Sequence, residues 1–396
     1  MPPLLAAGGP SPESRVSLYY FVLFMSAGLS AAFAGIWLEQ RGLSTREIGV
    51  VNSAPILVLM LVNVFVGRLA DRASDWKRAI VLGTLAAGVF SGGLFLAQGF
   101  WGILLIWSLT YVAQAAVVPV CDAAASRLAQ RRGSDFAFMR AWGTVGYLLV
   151  ILASGYAVVR FGVAIFVPVF VALSIIRVAA AFGLPRFRKA PEEHAQPRPT
   201  ARLGQVLQPW FLLPLIGWAM VFSTHLILNA FQGLLLQRQG IAFEVIGQLL
   251  ALAAASEAAM FFLFKRLLSR FRPLHLMLAS ALISAARWAA MALSPGIVML
   301  YALQSLHALT FAIGFLGCMN FITASTSEDI AAEAQSLFAT LQQVTSILAI
   351  GLFGLLAGPF GVHAYFASAA IALFGGGLIL LALRQSATGP RAAIPL

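Results

Sequence analysis

The feature that most constrains this chain is repetition: long apolar runs of about 20 residues recur about twelve times from end to end. A helix of that length spans the hydrocarbon of a bilayer, about 30 Å at 1.5 Å per residue. Inside hydrocarbon every backbone N–H and C=O must be satisfied within the protein, which leaves helices or closed barrels. The short alternating segments of a barrel are missing. Only 10% of residues are charged and 60% are hydrophobic, against about 25% charged in soluble domains. The sequence therefore predicts an all-α membrane protein of twelve transmembrane helices, at 16–38, 47–68, 78–97, 101–123, 138–159, 163–184, 209–234, 243–264, 274–293, 296–323, 337–357 and 363–383.

Charge sets the topology. Of the 26 Lys and Arg residues, twenty fall in the loops on the N-terminal side of this arrangement and four, Arg41, Arg46, Arg160 and Arg238, on the other. The positive-inside rule then puts both termini in the cytoplasm of a cell-membrane protein, and an even number of spans agrees. The net charge of +12 is accounted for by these loops and does not call for a nucleic-acid partner. Residues 185–208, rich in proline and charge, read as a cytoplasmic linker. They divide the spans into two six-helix bundles, 16–184 and 209–383, with cytoplasmic ends at 1–15 and 384–396. A weak internal echo supports duplication: Arg41-Gly42-Leu43-Ser44 before Ile48-Gly49 matches Gln239-Gly240-Ile241-Ala242 before Ile246-Gly247. Parallel halves with a midplane site between them are a recurrent transporter plan.

Nothing in the sequence implies a cofactor or metal. Cys121 and Cys318 lie in or beside apolar runs without metal or disulfide spacing. No P-loop, nucleophile elbow or metal-ligand pair appears, which argues against an enzyme and against an ATP-driven pump within this chain. The N-terminus lacks the pattern of a cleaved signal, so the first span is expected to serve as the anchor. Gly88/Gly92 and Gly354/Gly358 are small-xxx-small pairs, expected to pack within one monomer rather than between copies.

The costly residues mark the site. A charge at the bilayer centre costs about 2.5–3.5 kcal/mol even on lenient scales, so one that stays pairs or faces water. Asp122 and Arg140 stand eighteen residues apart on spans four and five, at similar expected depth either side of a turn near Arg131. Arg140 snorkelling to the surface is the plainer alternative. Glu257, Arg287 and His307 lie on three consecutive spans at comparable depths, which snorkelling does not explain. Such a trio reads as a proton or substrate path. His225, Asn229 and Gln232 share a face of span seven if the helix is regular. Trp142 and Tyr147 add aromatic surface near Arg140.

Gly67-Arg68-Leu69-Ala70-Asp71-Arg72, followed by Lys77-Arg78, resembles the loop signature of the major facilitator superfamily. By that resemblance Gly67, Asp71 and Arg72 serve conformational gating, with Gly67 allowing a tight helix end. The glycine expected after the Asp-basic pair is missing, and Ser74-Asp75-Trp76 lengthens the loop.

Further landmarks narrow the resemblance. Trp37-Leu38 before Gly42-Leu43-Ser44, Pro119-Val120-Cys121-Asp122, Arg140-Ala141-Trp142-Gly143-Thr144-Val145-Gly146, Ala286-Arg287-Trp288 and Leu303-Gln304-Ser305-Leu306-His307 together resemble the phenylpropionate-permease-like branch of that superfamily, related to the lactose permease of the oligosaccharide:proton symporters. The resemblance implies that Asp122 and Arg140 bind substrate and that Tyr147 packs on a ring. It also implies that Glu257 links substrate to proton, with Arg287 and His307 as coupling residues. Two positions depart from the pattern. Thr310 stands where lactose permease has its proton-carrying acid, and Ala32 where the branch tends to have proline.

The expectation is a monomeric secondary transporter, moving an aromatic or hydrophobic carboxylate, or a sugar, with protons by alternating access. A proton-driven multidrug or metabolite exporter of the same fold is the first rival, although embedded arginines oppose a cationic drug. A non-transporting sensor is the second.

Overall fold

The computed structural model describes residues 10–72, 75–187, 207–268, 270–326 and 328–388, of which 63–72, 130, 137, 265, 328–333 and 386–388 by backbone alone. Among them there is no β-strand. The first six helices are α1 (Pro12–Gln40), α2 (Thr45–Arg72), α3 (Trp76–Gly92), α4 (Gly99–Arg132), α5 (Phe136–Phe161) and α6 (Phe166–Phe182). They are followed by α7 (Pro209–Arg238), α8 (Phe243–Leu267), α9 (Pro273–Ala292), α10 (Ile297–Ser325), α11 (Glu328–Phe360) and α12 (Tyr365–Thr388). Eleven stretches are long and apolar enough to cross a membrane, but the last, Ala334–Gln385, holds 52 residues. One straight helix of that length would reach about 78 Å. It is two crossings, α11 and α12, broken by the turn Gly361–Ala364, where Gly361 takes φ +54°.

The internal echo has a structural counterpart. Gly42 and Gly240 end α1 and α7 with φ of +83° and +79°, the left-handed conformation that glycine adopts without Cβ strain. In each, the glycine N–H bonds back three residues and the next N–H five, to Glu39 and Leu38 in one case and Gln237 and Leu236 in the other. Ser44 and Glu47 then cap α2 reciprocally.

The apolar core is undivided at one end and split at the other. At the end opposite the termini, one buried cluster runs from Phe33 and Trp37 of α1 through Trp107, Phe166, Phe231 and Ile246 to Phe353 and Tyr365. Toward the termini it gives way to separate clusters, the smallest of them Phe264, Leu276 and Ile313 within the second half; the two larger ones do not mix the halves. One holds only residues of α1 to α6 with Leu184 and Phe187 just beyond them, among them Tyr19, Tyr20, Cys121 and Met139; the other holds only residues of α7 to α12, among them Trp218, Cys318 and Phe338.

Glycines form the seam of the undivided end. A Cβ on Gly35 would lie 2.4 Å from the Ala230 carbonyl, and one on Gly233 2.0 Å from that of Ala32. A Cβ on Gly354 would lie 2.9 Å from Gly49 Cα, and one on Gly155 or Gly247 2.9 Å from the carbonyl of Phe243 or Ile151. Helices α1/α7, α2/α11 and α5/α8 thus touch through bare backbone. Arg238 adds an ion pair across the same seam, its Nε donating to Glu39 at 2.8 Å. The small-xxx-small pairs act within the chain: Gly88 packs on Val178, Gly354 on α2 and Gly358 on Thr45, while Gly92 has open space around it.

Several boundaries differ from the sequence reading, by as much as nine residues at the start of α11, and two of them bear on the loops discussed above. Helix α2 does not end at Gly67 but continues to Arg72. The surroundings of Gly67, Asp71 and Arg72 lie outside the described residues. Beyond them, Asp75 caps α3 through the Lys77 N–H at 3.0 Å and also accepts from the Phe187 N–H at 2.9 Å. Lys77 Nζ donates to the carbonyls of Phe182 and Leu184 at 2.8 and 2.5 Å, closing the end of α6. Helix α4 runs nine residues past the predicted span, to Arg132, and ends at Gly133 with φ +64°. The turn therefore falls at Gly133, not Arg131.

Candidate functional site

Asp122 and Arg140 do meet, though not as a simple hairpin. Helix α5 packs mainly along α1, and α4 along α2 and α3, so α1 supplies side chains to both. The Tyr20 hydroxyl donates to Asp122 Oδ1 at 2.6 Å, while Arg140 Nε is 3.6 Å from the same oxygen. The guanidinium instead lies 4.0 Å over the Phe24 ring and 5.4 Å over Tyr20, where cation–π attraction holds it. Gly143 makes room: a Cβ there would come within 2.7 Å of Phe24 and 3.1 Å of Arg140. Both charged side chains keep about a third of their surface open, 32% for Arg140 and 38% for Asp122.

Tyr147 lies two turns beyond Arg140 on the same face of α5, the helix that packs against α8. Trp142 is not brought into this group. Two residues are about 200° of helix rotation, so it leaves the opposite side of α5, packs edge-on against Phe21 and is 41% exposed.

In the second half, Glu257, His307 and Arg287 form a continuous chain. Glu257 Oε2 is 3.2 Å from His307 Nε2, and His307 Nδ1 is 3.1 Å from Arg287 Nη1. Donor accounting fixes the proton positions. Arg287 can only donate, so Nδ1 must be the acceptor and carry no hydrogen. The neutral ring then has its N–H on Nε2, directed at Glu257. A doubly protonated His307 would set N–H against N–H and cation against cation.

Both terminal nitrogens of Arg287 are held by protein acceptors, while its buried Nε has no partner among the described residues. Its Nη1 also donates to Thr310 Oγ1 at 3.0 Å and Nη2 to Gln304 Oε1 at 2.9 Å, and it is 1% exposed. Thr310, in the place of the acid of related permeases, is thus a ligand of the arginine. Trp288 lies under the guanidinium at 4.8 Å and donates its indole N–H to Thr224 Oγ1 at 2.9 Å.

Span seven is not a regular helix, so the ideal spacing that put three polar residues on one face does not hold through it. A π turn, Leu228–Gln232, follows His225 and contains Asn229. His225 and Gln232 are buried, Asn229 is exposed. His225 donates from Nδ1 to the Val221 carbonyl at 3.0 Å, and its ring lies 5.4 Å from that of His307. A second π turn, Ala308–Ala312, follows His307. Phe311 stacks on His307 at 5.3 Å and Phe315 on Phe311 at 6.0 Å.

Several partners escaped the sequence reading. Tyr20, Phe24, Gln304, Ser280 and Ser284 are neutral residues in apolar runs, and a search for embedded charge passes over them. A Ser-xxx-Ser face on α9 beside Arg287 is the one pattern that could have pointed there. Arg177 of α6, 1% exposed, lies near Tyr19, and none of its three guanidinium nitrogens bonds to a described residue.

A twelve-helix fold with an undivided core at one end and polar clusters where it divides defines a membrane transporter. The profile of the MFS_1-like family matches residues 14–361, and the chain belongs to that family of the major facilitator superfamily. It is 26% identical over 335 residues to the maltose permease of Geobacillus stearothermophilus, covering 84% of each chain. It is also 26% identical over 353 residues to the probable 3-phenylpropionic acid transporter of Escherichia coli (strain K12), covering 85% of this chain and 86% of that one. The fold is shared with the nucleoside transporter NupG (TM-score 0.79, 16% identity, 95% of this chain and 100% of that chain). It is shared as well with an inward-facing, unoccupied bacterial homologue of the lysosomal transporter Spinster (TM-score 0.74, 16% identity, 95% and 98%). The chain is a multi-pass transporter of small molecules, not an enzyme.

Proposed function

We propose that this protein is a proton symporter for a small organic anion, working by alternating access. The observation that carries this reading is the unequal use of its two site arginines. Arg287 is buried, and its two terminal nitrogens donate to His307, Thr310 and Gln304. Arg140 makes only a 3.6 Å contact with Asp122 and lies on aromatic faces, leaving its planar fork for a carboxylate. Phe24 and Tyr147 supply ring surface beside the clamp, as in an aromatic acid such as the 3-phenylpropionate named for one relative.

Glu257 is the proton carrier in this reading. His307 cannot take a second proton while Arg287 donates to it, and Asp122 has an arginine beside it. Protonating Glu257 removes a negative charge facing Tyr147, which biases the rocking of 16–184 against 209–383 about the linker 185–208. The divided core makes the arrangement described here the one open toward the termini. With the termini cytoplasmic in a cell membrane, that is the inward-facing state of a monomer in the lipid bilayer.

Reconstituted vesicles test this. Adding 3-phenylpropionate outside should alkalinise the external medium, with no response to maltose, and Glu257→Gln should abolish the signal while leaving substrate exchange. Uptake without any proton movement would sink the symport reading, and a maltose response would sink the anion reading.

A further inference from the structure

The α9 hydroxyls of Ser280 and Ser284 both point at one atom. They donate to the backbone carbonyl of Thr310 at 2.8 and 3.2 Å, and both serines are fully buried. Thr310 lies inside the π turn Ala308–Ala312. A π turn inserts one residue into the helix and disturbs the regular i to i−4 ladder. A carbonyl left short there, buried away from water, has to find a donor elsewhere. The neighbouring helices are shaped to supply it. At Gly314, one turn on, a Cβ would fall 2.0 Å from the Trp218 ring and 2.7 Å from Ser280 Oγ, so glycine lets α7 and α9 approach this turn.

We infer that Ser280 and Ser284 are positioning residues of the proposed proton site, holding the α10 π turn in the register that aims His307 at Glu257. The inference rests on Glu257 being the proton carrier. The same residue whose carbonyl they hold, Thr310, also accepts from Arg287 through its hydroxyl. One π turn therefore fixes Thr310, Arg287 and His307 together. Without the serine hydroxyls the buried carbonyl recovers a partner by relaxing toward regular α geometry. Removing one residue from the turn rotates His307 about 100° relative to the helix that follows it. The imidazole then cannot face both Arg287 and Glu257. The charged and titratable groups around Glu257 are His307 from α10, Tyr147 and, two turns nearer the termini, Arg140 from α5, with Arg287 and His225 behind the imidazole.

Infrared titration of the Glu257 carboxyl band in detergent-solubilised protein tests this without a substrate. The band is assigned by its loss in Glu257→Gln. In Ser280→Ala/Ser284→Ala its midpoint should move by about one pH unit or more, since one unit is about the worth of a single hydrogen bond to a charged group. Ser284→Thr, which keeps a hydroxyl, should hold the wild-type midpoint. The single Ser284→Ala, missing the longer of the two bonds, should show a smaller shift and serves if the double variant does not fold. An unchanged midpoint in whichever alanine variant folds overturns the positioning role. If Glu257→Gln leaves all titrating carboxyl bands in place, the proton-carrier reading fails first and the inference with it.

Discussion

Arg140 and Arg287 are chemically identical and mechanistically opposite because of what surrounds them. A buried guanidinium whose two terminal nitrogens are held by protein acceptors is part of the scaffold; one resting on a phenyl face is available. Arg140→Ala should therefore lower uptake of an organic acid at least about tenfold, a loss of roughly 1.4 kcal/mol or more for a charge-assisted contact. Arg140→Lys should recover only part, since an ammonium lacks the planar fork. Initial rates in vesicles check both, and full activity in Arg140→Ala would move substrate recognition elsewhere. Charge made these residues legible in the sequence, because hydrocarbon penalises it. The distinction between them was not, since Gln304, Thr310 and Phe24 carry no such penalty. The same limit explains Trp142 and Asn229. Sequence proximity brought Trp142 to the site, and helix rotation about α5 places it against Phe21 instead; ideal helix spacing brought in Asn229, and the π turn in α7 breaks that spacing.

At the scale of elements, every predicted span is a helix, because apolar length alone decides that in a membrane. Boundaries beyond the hydrocarbon were harder to read. Helix α4 projects to Arg132 and α2 to Arg72, where hydropathy gives no stop signal and only Gly133 marks an end. The clasp at α3 and α6 was also hidden, since Asp75 looked like filler in a lengthened loop. It ties the start of α3 to the segment that follows α6 with one carboxylate. Asp75→Ala should destabilise the protein by about 1–2 kcal/mol, the usual cost of a lost N-cap, and lower its melting temperature in detergent. Asp75→Asn, which keeps an acceptor, should lose less. Equal melting points for wild type and alanine variant would show that the clasp contributes nothing to stability.

Over the whole molecule, the glycine seam is what makes one end solid. Gly233→Leu puts a side chain where Ala32 already presents its carbonyl at 2.0 Å from the ideal Cβ, and Gly354→Leu does the same against Gly49. Each should hold α1 from α7, or α2 from α11, and favour the state open at that end. Net transport should fall at least tenfold, an energy bias of about 1.4 kcal/mol or more. A cysteine introduced at Tyr147 should then react faster with a membrane-impermeant thiol reagent added on the side away from the termini. Unchanged labelling would mean that the seam tolerates bulk. Separately, Glu39→Gln removes one ion pair from the same seam and should give a smaller effect in the same direction.

The seam also has a consequence for how such a protein can diversify. Gly155 and Gly247 lie on α5 and α8, the helices that carry Arg140, Tyr147 and Glu257 toward the other end. Contact through bare backbone accepts no side chain at all, whereas a cavity wall accepts many. Lineages descended from this chain can exchange cavity residues and acquire new cargo while those glycines stay fixed. In a saturation library selected only for membrane insertion and transport of any solute, the seam should appear as a row of positions with a single allowed letter, beside a cavity that varies freely.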